Sequence, residues 1–285
     1  MNPAPNVPAV PFQPVVRASQ GMHATHTMHV VPAVPGKDWV ATDLDNTLFS
    51  RYWAGPGAVP GTWRENPGPD SQPGHEPSSW VRPETHRLLL LLAQAATLVP
   101  VTARDADAFA RVYVPGLNLA GPAVLANGAV VLNPAGVPDP DWEKHMRTLL
   151  LPWRKKLEDR CTSLLHRSGQ AARPRLVYGP AEFAAYLVAK APDGWWQGTV
   201  GRDLFSEICA GDLEGCQITV LGNEFQLLPP GLGKGPAARF VQERYFAGQA
   251  PLLCLGDMPP DLEFMRLGGL WATPAGSNLA VLWQL

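Results

Sequence analysis

Short apolar runs alternate with amphipathic segments along much of the chain. Strands are predicted at residues 38–44, 97–102, 123–126, 251–256 and 269–272. Helices are predicted between them at residues 83–96, 105–112 and 260–267. Within the first helix, the run Leu88–Leu92 is expected to form the buried side. Because strands that alternate with helices favour parallel pairing, the pattern indicates an α/β protein with a Rossmann-like parallel sheet core and helices on both faces.

The pattern changes between residues 129 and 226. A hairpin is expected near residues 129–136, with a turn at Pro134-Ala-Gly. Helices are then predicted at residues 141–167 and 180–190, and strands at residues 176–178 and 217–221. This mixture predicts an inserted α+β cap domain at residues 129–226, within a core domain formed by residues 37–128 and 227–285.

Proline and glycine, 31 and 27 of the 285 residues, are concentrated over residues 1–36 and about 54–83. We interpret residues 1–36 as a flexible proline-rich tail, because such a composition has little capacity to bury apolar surface. Three histidines recur at every third residue within it, at His23, His26 and His29. A metal site is one interpretation of this spacing, but a tail without rigid ligand geometry favours a histidine-rich segment that binds no metal.

Composition excludes several classes of protein. A formal net charge of −2 with 46% hydrophobic residues indicates a globular chain without the basic footprint of a nucleic-acid-binding protein. The longest apolar stretch, Leu88–Ala93, is far shorter than a membrane span, so no membrane partner is expected. Four cysteines without a CxxC pair, and an N-terminus without a basic segment followed by an apolar one, favour a cytoplasmic protein.

Polar side chains follow the predicted strands in four groups. They are Asp43 with Asp45 and Thr47, Thr102 with Arg104, Lys234 in Gly-Leu-Gly-Lys-Gly, and Asp257 with Asp261. We expect these groups to meet, because the carboxyl ends of neighbouring parallel strands converge on one crevice. Crowded carboxylates imply a cation, and an oxygen-only ligand set favours Mg²⁺. A lysine added to such a site suits a phosphoryl group, whose oxygens require positive charge and hydrogen-bond donors.

These four groups, in this order, resemble the motifs of the haloacid-dehalogenase superfamily of phosphatases. The motifs are D-x-D-x-T at Asp43–Thr47, a hydroxyl at Thr102, a lysine at Lys234 and G-D-x-x-x-D at Gly256–Asp261. Asn127-Gly128-Ala129 and Gly233-Lys234-Gly235 are similar to the Cof-type branch, which includes the sucrose-phosphate phosphatase relatives. That branch has a large α+β cap between the second and third motifs. The resemblance covers about residues 37–285.

The resemblance implies a role for each matching residue. Asp43 would be the nucleophile that forms an aspartyl-phosphate, and Asp45 the general acid and base, with a raised pKa. Thr47, Thr102 and Lys234 would hold the phosphoryl oxygens. Mg²⁺ would be held by the Asp43 carboxylate, the Asp45 backbone carbonyl and Asp257. Asp261 would orient Lys234 or a metal-bound water.

Two further polar residues are candidates for contact with a substrate, Arg104 and Asn127. Arg104 could instead pair with Asp105 or Asp107, and the sequence does not separate these alternatives. The sequence also departs from the family pattern at Pro260, where the branch has asparagine, so one polar contact near the metal is missing.

A second departure is the long segment Arg51–Trp80, where many relatives have a short flap. It could form an additional wall over a substrate, or a surface excursion that its tryptophans anchor to the core. The residues on which these alternatives depend are Trp53, Trp63, Trp80, Arg64 and His75.

Three functions fit the resemblance. The leading hypothesis is a Mg²⁺-dependent phosphomonoester hydrolase whose partner is a small phosphorylated metabolite, a sugar phosphate or a nucleotide. A phosphomutase or phosphotransferase would require clustered cations in the cap for a second phosphate, and the cap sequence shows no obvious cluster. A non-catalytic binding protein would have no need of a nucleophile beside a general acid. The sequence does not indicate an oligomeric state.

Overall fold

The fold is organised around a parallel sheet whose first strand is β1 (Asp38–Thr42). The structure is a computed structural model that describes residues 38–65 and 76–284. A β-hairpin of β2 (Val59–Trp63) and β3 (Pro77–Val81) follows β1. The chain then returns through α1 (Pro83–Ala95) to β4 (Ala96–Pro100), which pairs with β1 in parallel.

The remaining elements follow in chain order. Between β4 and α6 the chain forms α2 (Ala106–Phe109), β5 (Ala123–Leu125), β6 (Val130–Leu132), α3 (Pro140–Leu150), α4 (Arg154–Arg167), β7 (Arg173–Tyr178), β8 (Ala184–Lys190), α5 (Thr199–Cys209), β9 (Gln217–Leu221) and β10 (Glu224–Leu228). The last elements are α6 (Lys234–Tyr245), β11 (Leu253–Leu255), α7 (Leu262–Met265), β12 (Trp271–Ala272) and α8 (Asn278–Leu282), of which β11 and β12 join the parallel sheet.

The parallel sheet has helices on both faces. Alternate residues of each strand point to opposite sides of the sheet, so neighbouring residues contact different helices. Its strand order is β12-β11-β1-β4, and a single parallel bridge between Val101 and Val124 adds β5 beside β4. Trp39 of β1 packs in one hydrophobic cluster with Val241 of α6. Val40 packs in another cluster with Leu89 of α1. The predicted α/β fold class is confirmed.

A second, antiparallel sheet lies in the segment between β6 and α6. Its strand order is β7-β8-β10-β9. It has a hydrophobic cluster of its own, in which Leu187 and Phe225 of the sheet pack against Leu157 of α4 and Leu204 of α5. The predicted mixture of helices and strands is therefore present in this segment. The domain limits at residues 36, 128 and 226 stay predictions.

The predicted helix at residues 180–190 is wrong, because most of this segment is the strand β8. A 3-10 turn occupies Pro180–Glu182, and β8 then runs between β7 and β10. A central strand covered on both faces is apolar throughout, and Ala184–Ala189 is fully buried. Such a run has no period of two, so its pattern does not distinguish a strand from a buried helix.

The helix α1 begins and ends near its predicted limits, but its leucine run is not a buried side. Only Leu89 is fully buried, whereas Leu88 and Leu91 are 47% and 63% exposed. Consecutive leucines point in different directions on a helix, so five in a row cannot all face the sheet. The predicted helix at residues 105–112 is also shorter, since α2 has a single turn.

The described part of segment Arg51–Trp80 is anchored to the core. Ser50 and Trp80 exchange two backbone hydrogen bonds of 3.0 Å, and the amide of Trp63 donates to the carbonyl of Arg111 at 3.0 Å. The Arg82 guanidinium lies over the ring of Trp53, 4.4 Å from its centroid. These contacts are those of an anchored excursion. A wall over the substrate stays a prediction, and His75 lies outside the described residues, as do the tail and its three histidines.

No helix in the described ranges is long and apolar enough to cross a membrane.

The turn between β5 and β6 packs against the start of α6 and requires glycine. Gly128 has a φ of +97°, and a Cβ there would lie 2.2 Å from the carbonyl oxygen of Gly233. Gly194 also has a positive φ, of +76°, but its Cβ would have no neighbour within 4 Å. We expect Gly194→Ala to lower the free energy of unfolding by about 1–2 kcal/mol through backbone strain alone. Gly128→Ala should cost about 1–3 kcal/mol more, because Gly233 must move.

Urea unfolding of the two variants and the parent checks this prediction. Equal losses in the two variants would show that the approach of Gly233 to Gly128 carries no free energy.

Candidate functional site

Three strand ends meet at the carboxyl edge of the parallel sheet. The register aligns Thr42 of β1 with Pro100 of β4 and with Leu255 of β11. The backbone amide of Asp43 donates to the carbonyl of Leu255 at 2.8 Å. The side chains that follow these three strands therefore share one edge of the sheet, namely Asp43, Thr102 and Asp257.

Lys234 is the centre of a buried group of charges at this edge. It is the first residue of α6, and its ammonium lies 2.7 Å from Asp43 Oδ1 and 2.7 Å from Asp261 Oδ1. The three side chains are at most 9% exposed. The two ion pairs join the start of α6 to the loops that follow β1 and β11.

Asp257 is connected to this group through Thr47. The Thr47 hydroxyl lies 3.1 Å from Asp257 Oδ1 and 3.2 Å from Asp43 Oδ2. Since a hydroxyl has one proton, it donates to one of the two carboxylates at a time. Thr47 thus contacts carboxylates in this structure, and its predicted contact with phosphate stays a prediction.

Both carboxylate oxygens of Asp261 are occupied. Oδ1 accepts from Lys234, and Oδ2 accepts from the backbone amides of Asp257 and Met258, each at 3.0 Å. This close packing requires Gly256, where a Cβ would lie 2.6 Å from the Cβ of Asp261. Asp261 therefore holds the loop and Lys234 in place, a geometry that suits the predicted orienting role.

The charges of the group do not balance. Burial raises the pKa of Asp43 well above its ordinary value, Lys234 opposes this rise, and Asp261 and Asp257 add to it. Burial and Asp261 together raise the pKa of Asp257 to about 7. Burial would lower the pKa of Lys234, but the attraction of Asp261 and Asp43 outweighs it and raises that pKa. The ammonium of Lys234 is therefore charged. Its single positive charge is smaller than the negative charge of the three carboxylates when all are ionised.

The donor set fits a divalent cation. The carboxylate oxygens of Asp43, Asp257 and Asp261 lie within 4.8 Å of one another. Asp43 Oδ2 and Asp257 Oδ1 share only the Thr47 hydroxyl, so they retain lone pairs, whereas Asp261 has both oxygens engaged. Hard oxygen ligands and uncompensated negative charge are what Mg²⁺ prefers in proteins. A contribution from the Asp45 backbone carbonyl stays a prediction.

Asp45 lies outside this buried group. Its side chain is 50% exposed, and both of its oxygens accept from Arg104, at 2.6 Å from Nε and 2.7 Å from Nη2. Arg104 thus pairs with Asp45 and not with Asp105 or Asp107, a partner that the sequence did not suggest. The predicted contact of Arg104 with a substrate stays a prediction.

Thr102 and Asn127 occupy the loops that follow β4 and β5. Thr102 is 1% exposed, and its hydroxyl oxygen accepts from the backbone amide of Arg104 at 3.2 Å. Asn127 has a left-handed backbone, with φ 52° and ψ 32°, a conformation that asparagine tolerates. Its side-chain amide donates to Gln226 Oε1 of β10 at 3.2 Å. Asn127 therefore touches the antiparallel sheet, next to the charged group.

A small cleft separates the antiparallel sheet from the charged group. Its polar lining comes from both sides, and the residues are Asn127, Gln217, Thr219, Gln226, Lys234 and Glu263. Pro260 also lines it, at the position where the family branch has asparagine. Lys234, whose ammonium is paired with Asp43, is one of the residues that line the cleft.

Strand alternation separates the two faces of β9 and β10. One set of residues lines the cleft: Gln217, Thr219, Gln226 and Leu228. The intervening residues belong to the hydrophobic cluster of the antiparallel sheet: Ile218, Val220, Phe225 and Leu227. The polar residues Gln217, Thr219 and Gln226 are therefore on the face opposite to the hydrophobic cluster of the antiparallel sheet.

Sequence reasoning missed Glu263, Gln217 and Gln226. Gln217 donates to Glu263 Oε1 at 2.7 Å, and Glu263 Oε2 accepts from the amide of Gly235 in the first turn of α6, at 3.3 Å. This carboxylate also lies where the helix dipole favours negative charge. No spacing marks these residues, since Gln217 and Glu263 are 46 positions apart. The one available signal was the alternation of polar and apolar residues in β9.

Several solved structures are similar to this chain. The sucrose-phosphatase of Synechocystis sp. PCC6803, in complex with sucrose and phosphate, matches with a TM-score of 0.52 and 17% identity, over 87% of this chain and 86% of that one. A haloacid dehalogenase-like hydrolase from Bacteroides thetaiotaomicron matches with a TM-score of 0.51 and 13% identity, over 87% and 92%. The C-terminal domain of C. albicans trehalose-6-phosphate phosphatase matches with a TM-score of 0.50 and 14% identity, over 81% and 73%.

No protein-family model matches the sequence, and no curated protein matches it. At identities this low the three structures show the fold, which evolves more slowly than sequence. The parallel sheet and the antiparallel sheet beside it agree with this fold, and the roles of Asp43, Lys234 and Asp257 stay predictions. The chain has the fold of these sucrose-phosphatase, trehalose-6-phosphate phosphatase and haloacid dehalogenase-like hydrolase structures.

Proposed function

We propose that this protein is a Mg²⁺-dependent phosphomonoester hydrolase that acts on a small phosphorylated metabolite through an aspartyl-phosphate intermediate. One observation carries the proposal. The buried carboxylate of Asp43 is held by Lys234 through Oδ1, while Oδ2 has only the Thr47 hydroxyl as a partner and faces Asp257. Such a carboxylate is oriented and retains a lone pair with which to attack phosphorus.

The reaction has two steps. In the first, a carboxylate oxygen of Asp43 attacks phosphorus, the ester P–O bond breaks, and the leaving oxygen keeps the electron pair and takes a proton from Asp45. In the second, a water attacks the phosphorus of the aspartyl-phosphate and gives a proton to Asp45. The bond between phosphorus and Asp43 then breaks, so that inorganic phosphate leaves and both aspartates return to their initial forms.

The neighbouring residues support these steps by position and charge. Lys234 is fixed by Asp261, so its ammonium remains beside Asp43, where it stabilises negative charge on the phosphoryl oxygens. Thr102 is buried at the same sheet edge and supplies a hydroxyl for another oxygen. These donors are held before a substrate arrives, which reduces the reorganisation that the transition state requires.

Asp43 and Asp257 would hold Mg²⁺, with the backbone carbonyl of Asp45 as a third ligand. The ion would neutralise charge on the transferring phosphoryl group and offset the excess of buried carboxylates.

The cleft beside Lys234 favours a polyhydroxylated leaving group over a nucleotide. Carboxamides and a hydroxyl, which suit the hydroxyls of a sugar, dominate its lining (Asn127, Gln217, Thr219 and Gln226). None of the described residues that line it is aromatic, so a base would lack a ring to stack on. Lys234 is the one cation among them, which provides no site for the second phosphate of a mutase. The sucrose-phosphatase with this fold was crystallised with sucrose and phosphate, which agrees with this choice.

Phosphate release from sugar phosphates, nucleotides and an aryl phosphate, measured with and without Mg²⁺, tests the proposal. We expect Mg²⁺-dependent release, with sugar phosphates preferred among the metabolites. Asp43→Asn should lower the rate by at least about 10³-fold, because an amide oxygen cannot form the acyl phosphate. The exposed Asp159→Asn is the matched control and should retain the parental rate. Comparable release by Asp43→Asn would contradict the assigned nucleophile.

Thermal unfolding in the presence of Mg²⁺ tests the proposed metal ligands. A cation that binds only the folded chain stabilises it by about 2.7 kcal/mol at a free concentration 100 times its Kd, so the melting temperature should rise. Asp257→Asn should abolish this rise, since an amide carries no charge to attract the ion. Asp159→Asn should preserve it. A rise of the same size in Asp257→Asn would remove Asp257 from the ligand set.

A further inference from the structure

Arg104 and Asp45 form a bidentate ion pair outside the buried group. Two parallel N–H···O bonds of 2.6 and 2.7 Å fix the carboxylate in one plane. The guanidinium is itself fixed, because Nη1 donates to the carbonyl of Ala108 at 3.0 Å and the group lies 5.3 Å from the centroid of the Phe49 ring. The Arg104 side chain is only 17% exposed. Asp45 is therefore held by a rigid partner, although half of its own surface is open to solvent.

The loop that carries Arg104 is also the place where the antiparallel sheet touches the core. The carbonyl of Ala103 accepts from the hydroxyl of Tyr186 in β8 at 3.0 Å. The carboxylate of Asp105 accepts from Arg175 in β7 at 3.3 Å. Three consecutive residues thus contact β8, Asp45 and β7 in turn. Ala103 and Asp105 are thus hydrogen-bonded to the antiparallel sheet. A shift of that sheet would move both residues, and Arg104 between them.

We propose that Arg104 is a positioning residue for Asp45, and that the antiparallel sheet sets its position through Tyr186 and Arg175. The inference rests on the proposed function. It replaces the expectation from sequence that Arg104 contacts the substrate. Arg104 acts on the reaction through Asp45 and does not itself touch the phosphoryl group.

Both steps require Asp45 in the place where Arg104 holds it. Each carboxylate oxygen has two lone pairs, and Arg104 uses one on each oxygen, so a remaining lone pair can take up or release a proton without breaking either bond. An ester whose leaving group departs without protonation isolates the second step, in which water attacks the aspartyl-phosphate and Asp45 removes its proton.

Acid quenching followed by mass spectrometry measures the fraction of enzyme trapped as the phosphoenzyme during turnover of an aryl phosphate. An aryl leaving group departs without protonation, so the first step should remain fast in Arg104→Gln. The second step should slow by about 10- to 100-fold, a part of the usual contribution of a general base. The trapped fraction should therefore rise while phosphate release falls, and KM should fall in parallel, so that kcat/KM for the aryl ester changes little. Arg104→Lys, which retains the charge but offers a single nitrogen in place of the guanidinium fork, should recover part of the loss.

Arg154→Gln is the matched control, because Arg154 forms an exposed ion pair with Glu158 on α4. It should leave both the release rate and the trapped fraction unchanged. An Arg104→Gln enzyme with a raised KM and a lower trapped fraction would mean that Arg104 binds the phosphate, and would overturn the inference. Parental behaviour of Arg104→Gln would overturn it as well.

A separate variant tests the hydrogen bond between the antiparallel sheet and the loop that carries Arg104. Tyr186→Phe removes the hydrogen bond to Ala103 and keeps the buried ring. The trapped fraction should rise in the same direction, with hydrolysis of the phosphoenzyme slower by roughly 2- to 10-fold, the factor that corresponds to one neutral hydrogen bond. Tyr178→Phe, at an exposed tyrosine of β7, is its control and should match the parent. A Tyr186→Phe enzyme that also matches the parent would confine the positioning role to Arg104.

The proposed function and this inference fail in different ways. An enzyme that releases no phosphate and traps no phosphoenzyme from any ester would overturn both. If the parent releases phosphate and Asp43→Asn does not, the proposed function stands. The Arg104 variants then test the positioning role by themselves.

Discussion

The ammonium of Lys234 between Asp43 and Asp261 is the interaction on which the rest of the site depends. It lies at the meeting point of α6 and the loops that follow β1 and β11, so one buried charge fixes three parts of the fold. A buried charge is tolerated only where partners offset the loss of hydration, and here the partners outnumber it. The excess of carboxylates at this edge of the sheet is the charge pattern on which the proposed metal site rests.

The core of the site was predictable because it depends on positions along strands. Asp43 and Asp257 each follow an apolar run, and parallel pairing then requires that they share an edge. The same logic predicted the sheet, since its strands are short and bounded by polar residues. It failed for β8, where burial on both faces removes the alternation that marks a strand. It also failed for α1, where five leucines suggested more buried surface than one helix face can offer.

Two side-chain pairs near the site could not be predicted in this way. The pairing of Arg104 with Asp45, and that of Gln217 with Glu263, join residues 59 and 46 positions apart. Neither depends on the period of a strand or a helix. The second is set by how the antiparallel sheet lies on the core, and packing of this kind leaves no local signature in a single sequence. The residues that line the cleft can therefore be identified only from the three-dimensional structure.

The alternation along β9 and β10 has a consequence for how this fold changes over time. One set of side chains packs in the hydrophobic cluster and the set between them lines the cleft, so the two sets are under separate constraint. Exchange of Gln217, Thr219 or Gln226 would alter the wall of the cleft while the hydrophobic cluster behind it stays intact. The wall of the cleft can therefore change by small steps, each of which leaves a folded intermediate with the buried charges of Asp43, Lys234 and Asp257 undisturbed.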